Sequence, residues 1–328
     1  MNRVLIFAPN WLGDAVMALP AIADVRRGSP QATIVVAARE SLAPLFGMVR
    51  DVDEVIALGP LARSIGRDFD AAILLPNSFR AAVVAARANI PERWGYRTDW
   101  RGMLLTRAID RAPAGIHQID YYRHLVRALG FPNGPDAPQL EVPVESRAAA
   151  ARVLERAGWD GRTPLVAIAP GAAYGGAKRW PAASFAALAR ALAGNGLRPV
   201  LIGSPADAPG GCTITSALGD SSIILNLIGQ TDVPTLAGVL AAARALVAND
   251  SGALHLGAAV GAPVTAMFGP TDERVTGPRA TQTSRSAAVV LTHPVWCRPC
   301  GLRECPLDHA CMRSIAVEAA VDAAMRVS

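Results

Sequence analysis

Residues 235–270 read TLAGVLAAARALVANDSGALHLGAAVGAPVTAMFGP, and their patterning decides the fold. A helical stretch feeds a short apolar run over 235–250 that stops at Asn249-Asp250. Ser251-Gly252 opens a second helix, 251–261, and PVTAMFGP (263–270) is another apolar strand. Strands that are apolar on both faces and alternate with helices belong to a parallel sheet covered on both sides.

The same alternation extends in both directions. Strands are expected at 164–171 and 198–204 with a helix at 184–196 between them. Upstream, strands are expected at 3–9, 32–38, 52–58 and 70–76, with a helix at 13–30. Residues 131–146 hold four prolines and read as the linker between two such units. The organisation expected is an N-terminal unit over 1–145, a C-terminal unit over 146–314 and a short amphipathic helix over 315–328. A length of 328 residues suits two domains of about 150.

Composition narrows the class. Apolar residues make up 51% and charged ones 18%, while aromatics are only 5%, so the cores must be built from Ala, Val, Leu and Ile. A net charge of +5 suits an anionic partner such as a phosphate, a nucleotide or a lipid headgroup. It is too weak, without stacking aromatics, to indicate nucleic acid. The N-terminus lacks a signal-peptide pattern and no apolar run reaches the roughly 18 residues of a membrane span, so a cytoplasmic protein is expected.

Three segments carry candidate chemistry. GAAYGGAKRWP (171–181) holds Lys178, the one lysine among 32 Lys and Arg, on a glycine-rich loop between a strand and a helix. Such loops cradle phosphate oxygens, although the Walker A spacing is absent, and a solvated loop lysine is the competing reading. In VANDSGALHLGAA (247–259), amides at a helix start could meet a pyrophosphate, and Gly252 lets the backbone approach closely. An ordinary Asp or Ser cap with a buried His255 fits the segment equally. In PNWLGDAVMALPA (9–21), Asp14 lies beyond the first strand, as a helix cap or as a general base.

Taken together and in order, NWLGDAVMALPA, PGAAYGGAKRWP and NDSGALHLGAAVGAPVTAMFGPTDE resemble the ADP-heptose:lipopolysaccharide heptosyltransferases across nearly the whole chain. The resemblance implies a GT-B architecture: two Rossmann-like domains facing a cleft, with the acceptor on the first and the nucleotide sugar on the second. The C-terminal helix would cross back to the first domain. The activity implied is inverting, metal-independent transfer of L-glycero-D-manno-heptose from ADP-heptose to the lipopolysaccharide inner core. Asp14 matches the base and Lys178 the phosphate-binding lysine. Ala172, Ala173, Asp250, Ser251, Gly252, Ala253 and His255 match donor-binding positions, and Asp207 falls where a carboxylate would bind ribose hydroxyls.

LLPNSFRAA (74–82) and RWGYRTDWRGMLL (93–105) resemble the members that act second, adding heptose to the first heptose, and nominate Asn77, Ser78 and Arg80 for the acceptor. Transfer to Kdo instead, or another nucleotide-sugar transfer, is the alternative within the class. From residue 80 to 127 nine arginines face four acids, which suits Kdo carboxylates, core phosphates or an anionic leaflet, or describes solvated helix faces. The partners implied are ADP-heptose and a Kdo-lipid A core acceptor at the cytoplasmic face of the inner membrane, with no nucleic acid.

WCRPCGLRECPLDHACM (296–312) crowds Cys297, Cys300, Cys305 and Cys311 into a spacing that allows a structural metal, reduced thiols or a disulfide. No cofactor is required by the reaction implied. A nucleotide-sugar epimerase and a non-enzymatic two-lobed binding module share the fold class; NWLGD in place of G-x-G-x-x-G after the first strand removes the dinucleotide signature.

Overall fold

The computed structural model describes residues 1–59, 65–66, 68–279 and 287–326. It forms two compact units, Met1–Glu141 and Val142–Ser328, which divide within the proline-rich linker.

In the first unit β1 (Arg3–Phe7), β2 (Thr33–Arg39), β3 (Glu54–Leu58), β4 (Ala71–Leu74), β5 (Glu92–Tyr96) and β6 (Arg107–Ile109) make one sheet in the order β3-β2-β1-β4-β5-β6. Every pairing is parallel. The chain lays strands outward from β1 on one side and then returns to add β4 on the other. The two directions part between β1 and β4, opening a crevice at the carboxyl ends of the strands.

The second unit repeats this plan. Its strands are β7 (Leu165–Ala169), β8 (Arg198–Leu201), β9 (Leu225–Asn226), β10 (Ala245–Asn249), β11 (Val264–Phe268) and β12 (Ala288–Thr292), ordered β12-β11-β10-β7-β8-β9 and all parallel. Here the strand order reverses between β7 and β10. The central strands β7, β10 and β11 are buried at every residue, which is why they read as unbroken apolar runs. Their core is Ala, Val, Leu and Ile with few aromatics, Phe185 and Trp180 among them.

Differences from expectation have local causes. The helix expected at 13–30 is two helices, Leu12–Met17 and Leu19–Gly28, because Pro20 in the first turn of the second has no N–H to give the ladder. Strands β5 and β6 were hidden by their arginines, which break the apolar pattern at a sheet edge. The C-terminal helix Val317–Arg326 packs within the second unit, against the Ala182–Gly194 helix and beside β10 and β11. Ala320 and Ala324 join that unit's core, where the resemblance implied packing on the first. Among the described residues no helix is long and apolar enough to cross a membrane.

Candidate active site

In the second unit, the nominated donor residues other than Asp207 lie on the loops that leave β7 and β10, the pair flanking the strand-order reversal, or at the start of the helix that follows β10; Asp207 ends a turn beyond β8. Asp250 follows β10 directly and its side chain is only 5% exposed. Lys178, on the single 3-10 turn Gly176–Lys178 beyond β7, donates from Nζ to Asp250 Oδ2 at 2.5 Å, and Thr271 Oγ1 donates to the same oxygen at 2.7 Å. His255 Nε2 stands 4.0 Å from Asp250 Oδ1. The carboxylate thus holds one lysine in a defined place at the mouth of the loop, which a solvated loop lysine would not show.

Asn249 joins the two loops. Its Nδ2 donates to Pro170 O at 2.8 Å and its Oδ1 accepts from Trp180 N at 3.1 Å, so the ends of β7 and β10 are clamped together. Ser251 is the N-cap of the Gly252–Ala259 helix, but its side chain makes no cap bond. Its buried Oγ has no hydrogen-bond partner among the described residues. The first amides of that helix, at its positive dipole end, begin two residues after the Asp250 that holds Lys178. Ala253 lies in the first turn of the same helix, and on the β7 loop Ala172 is buried while Ala173 is exposed.

Asp207 comes to this loop, though part of its carboxylate is committed locally. Oδ2 accepts from Ser204 N at 2.9 Å and Ser204 Oγ at 2.8 Å. It presses on Gly171 so closely that a Cβ there would sit 2.3 Å from Oδ1, which explains glycine at that position.

In the first unit, Asp14 lies in the first turn of the Leu12–Met17 helix, beyond β1. Trp11 rather than Asp14 is the N-cap, so the capping reading does not describe this carboxylate. Tyr122 Oη donates to Asp14 Oδ1 at 3.3 Å. Burial raises the Tyr122 phenol well above its ordinary range, and the charge of Asp14 raises it further, so it stays a proton donor. Sequence reasoning missed Tyr122 because nothing local links positions 14 and 122. Thr271 was within reach, since it lies inside the third motif.

A cavity of about 740 Å³ opens at the carboxyl ends of β1, β2 and β4, lined by Ala8, Asn10, Arg39, Ser78 and Arg80 among others. Two of the three nominated acceptor residues, Ser78 and Arg80, therefore line a cavity. Asn77 does not: its amide exchanges hydrogen bonds with the Tyr121 hydroxyl at 2.8 and 3.1 Å. Arg39, which donates from Nε to Asn10 Oδ1 at 2.9 Å, was not foreseen.

Part of the arginine run proves to be internal bracing: Arg101 and Arg123 are buried and Arg93 is half-buried, while Arg80, Arg87, Arg97, Arg107, Arg111 and Arg127 remain exposed. Arg101 is fully buried and donates to Tyr96 O at 2.9 Å and to the carbonyls of Pro76 and Ser78, 2.5 and 3.4 Å away, so it shapes the loop after β4. Burial lowers its guanidinium from the usual value. Arg123 is buried against Asp24, Arg93 donates to the carbonyls of Ile90 and Leu104, and Arg107 to those of Ala128 and Leu129. A guanidinium can satisfy several carbonyls at once, so charge counted along the chain overstates the surface charge.

The four clustered cysteines are free thiols. Among the described residues no group of three or more His, Cys, Asp or Glu stands where it could hold a metal ion; of the three readings of this spacing, the structure shows free thiols. Cys311 is drawn into the core beneath Gly269, where an added Cβ would come within 3.1 Å of its sulfur, while Cys300 is exposed. Burial raises the Cys311 thiol, and the neighbouring Cys300, Cys305 and Cys297 raise it further.

Residues 59–311 match the model of glycosyltransferase family 9 (heptosyltransferase). Lipopolysaccharide heptosyltransferase 2 of Salmonella typhimurium is 33% identical over 299 residues, covering 84% of this chain and 85% of its own. The protein of that name from Escherichia coli K12 is 32% identical with the same coverage. Among solved structures, the E. coli ADP-heptose lps heptosyltransferase II matches with a TM-score of 0.84 at 28% identity, over 100% of this chain and 98% of that one. The motif loops, the paired Rossmann-like units and these matches agree: the chain is a transferase that belongs to glycosyltransferase family 9, the heptosyltransferases.

Proposed function

We propose that the protein transfers L-glycero-D-manno-heptose from ADP-heptose, with inversion, to the first heptose of the lipopolysaccharide inner core. The observation that carries this reading is Lys178 held on Asp250 beside the amides of the Gly252–Ala259 helix, at the carboxyl ends of β7 and β10. An ammonium and helix amides together suit a diphosphate.

The acceptor hydroxyl attacks the anomeric carbon and gives its proton to Asp14 as the C–O bond to ADP breaks. Tyr122 orients that carboxylate. The negative charge that builds on the departing diphosphate is met by Lys178 and the helix amides, work that a metal does in other transferases. Ser251 Oγ and Gly252 serve the same diphosphate, Ala172, Ala173, Ala253 and His255 border the donor, and Asp207 serves its ribose. No cofactor takes part. Ser78 and Arg80 bind the acceptor, with Arg39 added to them.

A lipid-linked core acceptor places the enzyme against the cytoplasmic leaflet of the inner membrane. In support, the first unit presents Trp100 and Met103 at 89% and 82% exposure on one turn. An exposed Trp and Met on one turn suit a lipid headgroup layer.

The test is ADP release from ADP-heptose by purified protein offered Kdo2-lipid A or heptosyl-Kdo2-lipid A. Release only with the heptosylated acceptor is expected. Release with the Kdo acceptor would move the protein to the first step of the core, and silence with both would overturn the donor and acceptor proposed.

A further inference from the structure

The cysteine-bearing segment 297–305 makes contacts that the proposed reaction leaves unused. On one side it is bonded to the loop after β7. Arg303 O accepts from Ala177 N at 2.9 Å, Glu304 Oε1 accepts from Gly176 N at 2.9 Å, and Gly301 O accepts from the Tyr174 hydroxyl at 2.8 Å. On the other it is bonded to the loop after β11: Gly301 N donates to Pro270 O at 2.8 Å, and Arg298 Nε donates to Gly269 O at 2.8 Å. The fit is tight. A Cβ at Gly175 would sit 2.2 Å from the carbonyl oxygen of Arg303, so only glycine allows the approach.

This anchoring brings a second cation to the loop that carries Lys178. Lys178 Nζ is 4.7 Å from the centroid of the Tyr174 ring, and Arg303 Cζ is 5.1 Å from the same centroid. Two cations gathered on one ring repel each other unless an anion joins them. Asp250 offsets Lys178, but Arg303 has no carboxylate partner among the described residues, since neighbouring Glu304 is engaged by the backbone of Gly176. The side chain of Arg303 is exposed, so its charge is available to a ligand seated on the loop.

We propose that Arg303 is a donor-binding residue that supplies a second positive charge, beside Lys178, to the diphosphate of the nucleotide sugar. The inference rests on the donor reading above. The segment is then a wall of the donor site: its backbone fixes the glycine loop, and its guanidinium contacts the phosphate oxygens farther from the nucleoside. Tyr174 is the platform that keeps both cations in register.

The test compares binding of ADP and AMP by titration calorimetry in wild type, Arg303→Gln and Arg303→Lys, with thermal melting of each. Loss of one charge-assisted contact should weaken ADP about tenfold in Arg303→Gln, with AMP nearly unchanged, partial recovery in Arg303→Lys and the same melting temperature. Equal ADP affinity in wild type and Arg303→Gln would overturn the proposal. Equal loss of ADP and AMP would also overturn it, because that marks a collapsed loop. Wild-type protein that binds no ADP would overturn the donor reading itself, and the inference with it.

Discussion

Lys178 and Asp250 form a pair whose structural and chemical contributions can be separated. Their side chains are 12% and 5% exposed, so truncating Lys178 leaves a carboxylate nearly buried with Thr271 still donating to it. Removing one partner of a buried pair costs up to about 3–5 kcal/mol, and Thr271 and the open side of the loop should keep this case near 2–3 kcal/mol. In a unit of this size that lowers the melting temperature by roughly 5–10 °C. Asp250→Asn in the Lys178→Ala background removes the unpaired charge while keeping the Thr271 hydrogen bond, so most of the melting temperature should return. Activity should not return. If Lys178 meets charge on the departing ADP, its loss costs on the order of 10²–10³ in kcat, as for other preorganised donors at a developing charge. The assay is calorimetric melting together with initial rates of acceptor-dependent ADP release for the two single variants and the double. A double variant that regains both stability and turnover would refute the argument, because Lys178 would then be a structural counter-ion only. A Lys178→Ala protein with wild-type kcat would refute it more directly.

Other outcomes are expected from the same geometry. Tyr122→Phe should lower kcat severalfold with little change in KM for ADP-heptose. The acid limb of its pH profile should move to higher pH, because the lost hydrogen bond favoured the charged form of Asp14; an unmoved limb would argue against the contact. Arg101→Leu abolishes its hydrogen bonds to loop carbonyls and should cost about 2–4 kcal/mol in urea unfolding while raising KM for the acceptor more than for the donor. Acid should destabilise the fold between about pH 4 and pH 2. The backbone amides of Asn2 and Arg3 hold Asp70 below its ordinary value, and hydrogen bonds from Thr163 and then from the amides of Arg162 and Thr163 hold Asp160 at about 2. Depressed carboxylates contribute stability above their unfolded pKa and lose it as pH falls through the folded one, so Asp70→Asn should flatten the decline in an acid titration followed by circular dichroism. Under limited alkylation read by mass spectrometry, exposed Cys300 and Cys212 should react first and Cys311 last, since it is buried and its thiol is raised; early Cys311 labelling would contradict its packing.

Much of this protein was written locally in its chain. Unbroken apolar runs announced parallel strands, prolines marked the break near residue 141, and glycine-bearing loops after strands marked where Lys178 and Asp250 would stand. These features depend on neighbours a few residues away, so a linear reading finds them. Long-range pairing decided the rest. Only the strand orders, β3-β2-β1-β4-β5-β6 and its repeat in the second unit, set the loops after β1 and β4, and those after β7 and β10, beside one another. Tertiary packing alone turned Asn77 toward Tyr121, put Tyr122 on Asp14 across 108 positions, and buried Arg101 and Arg123 where charge counting suggested a surface patch. It also carried Arg303 to Tyr174 and sank Cys311 beneath Gly269, because the position of a side chain depends on which distant backbone comes to lie beside it.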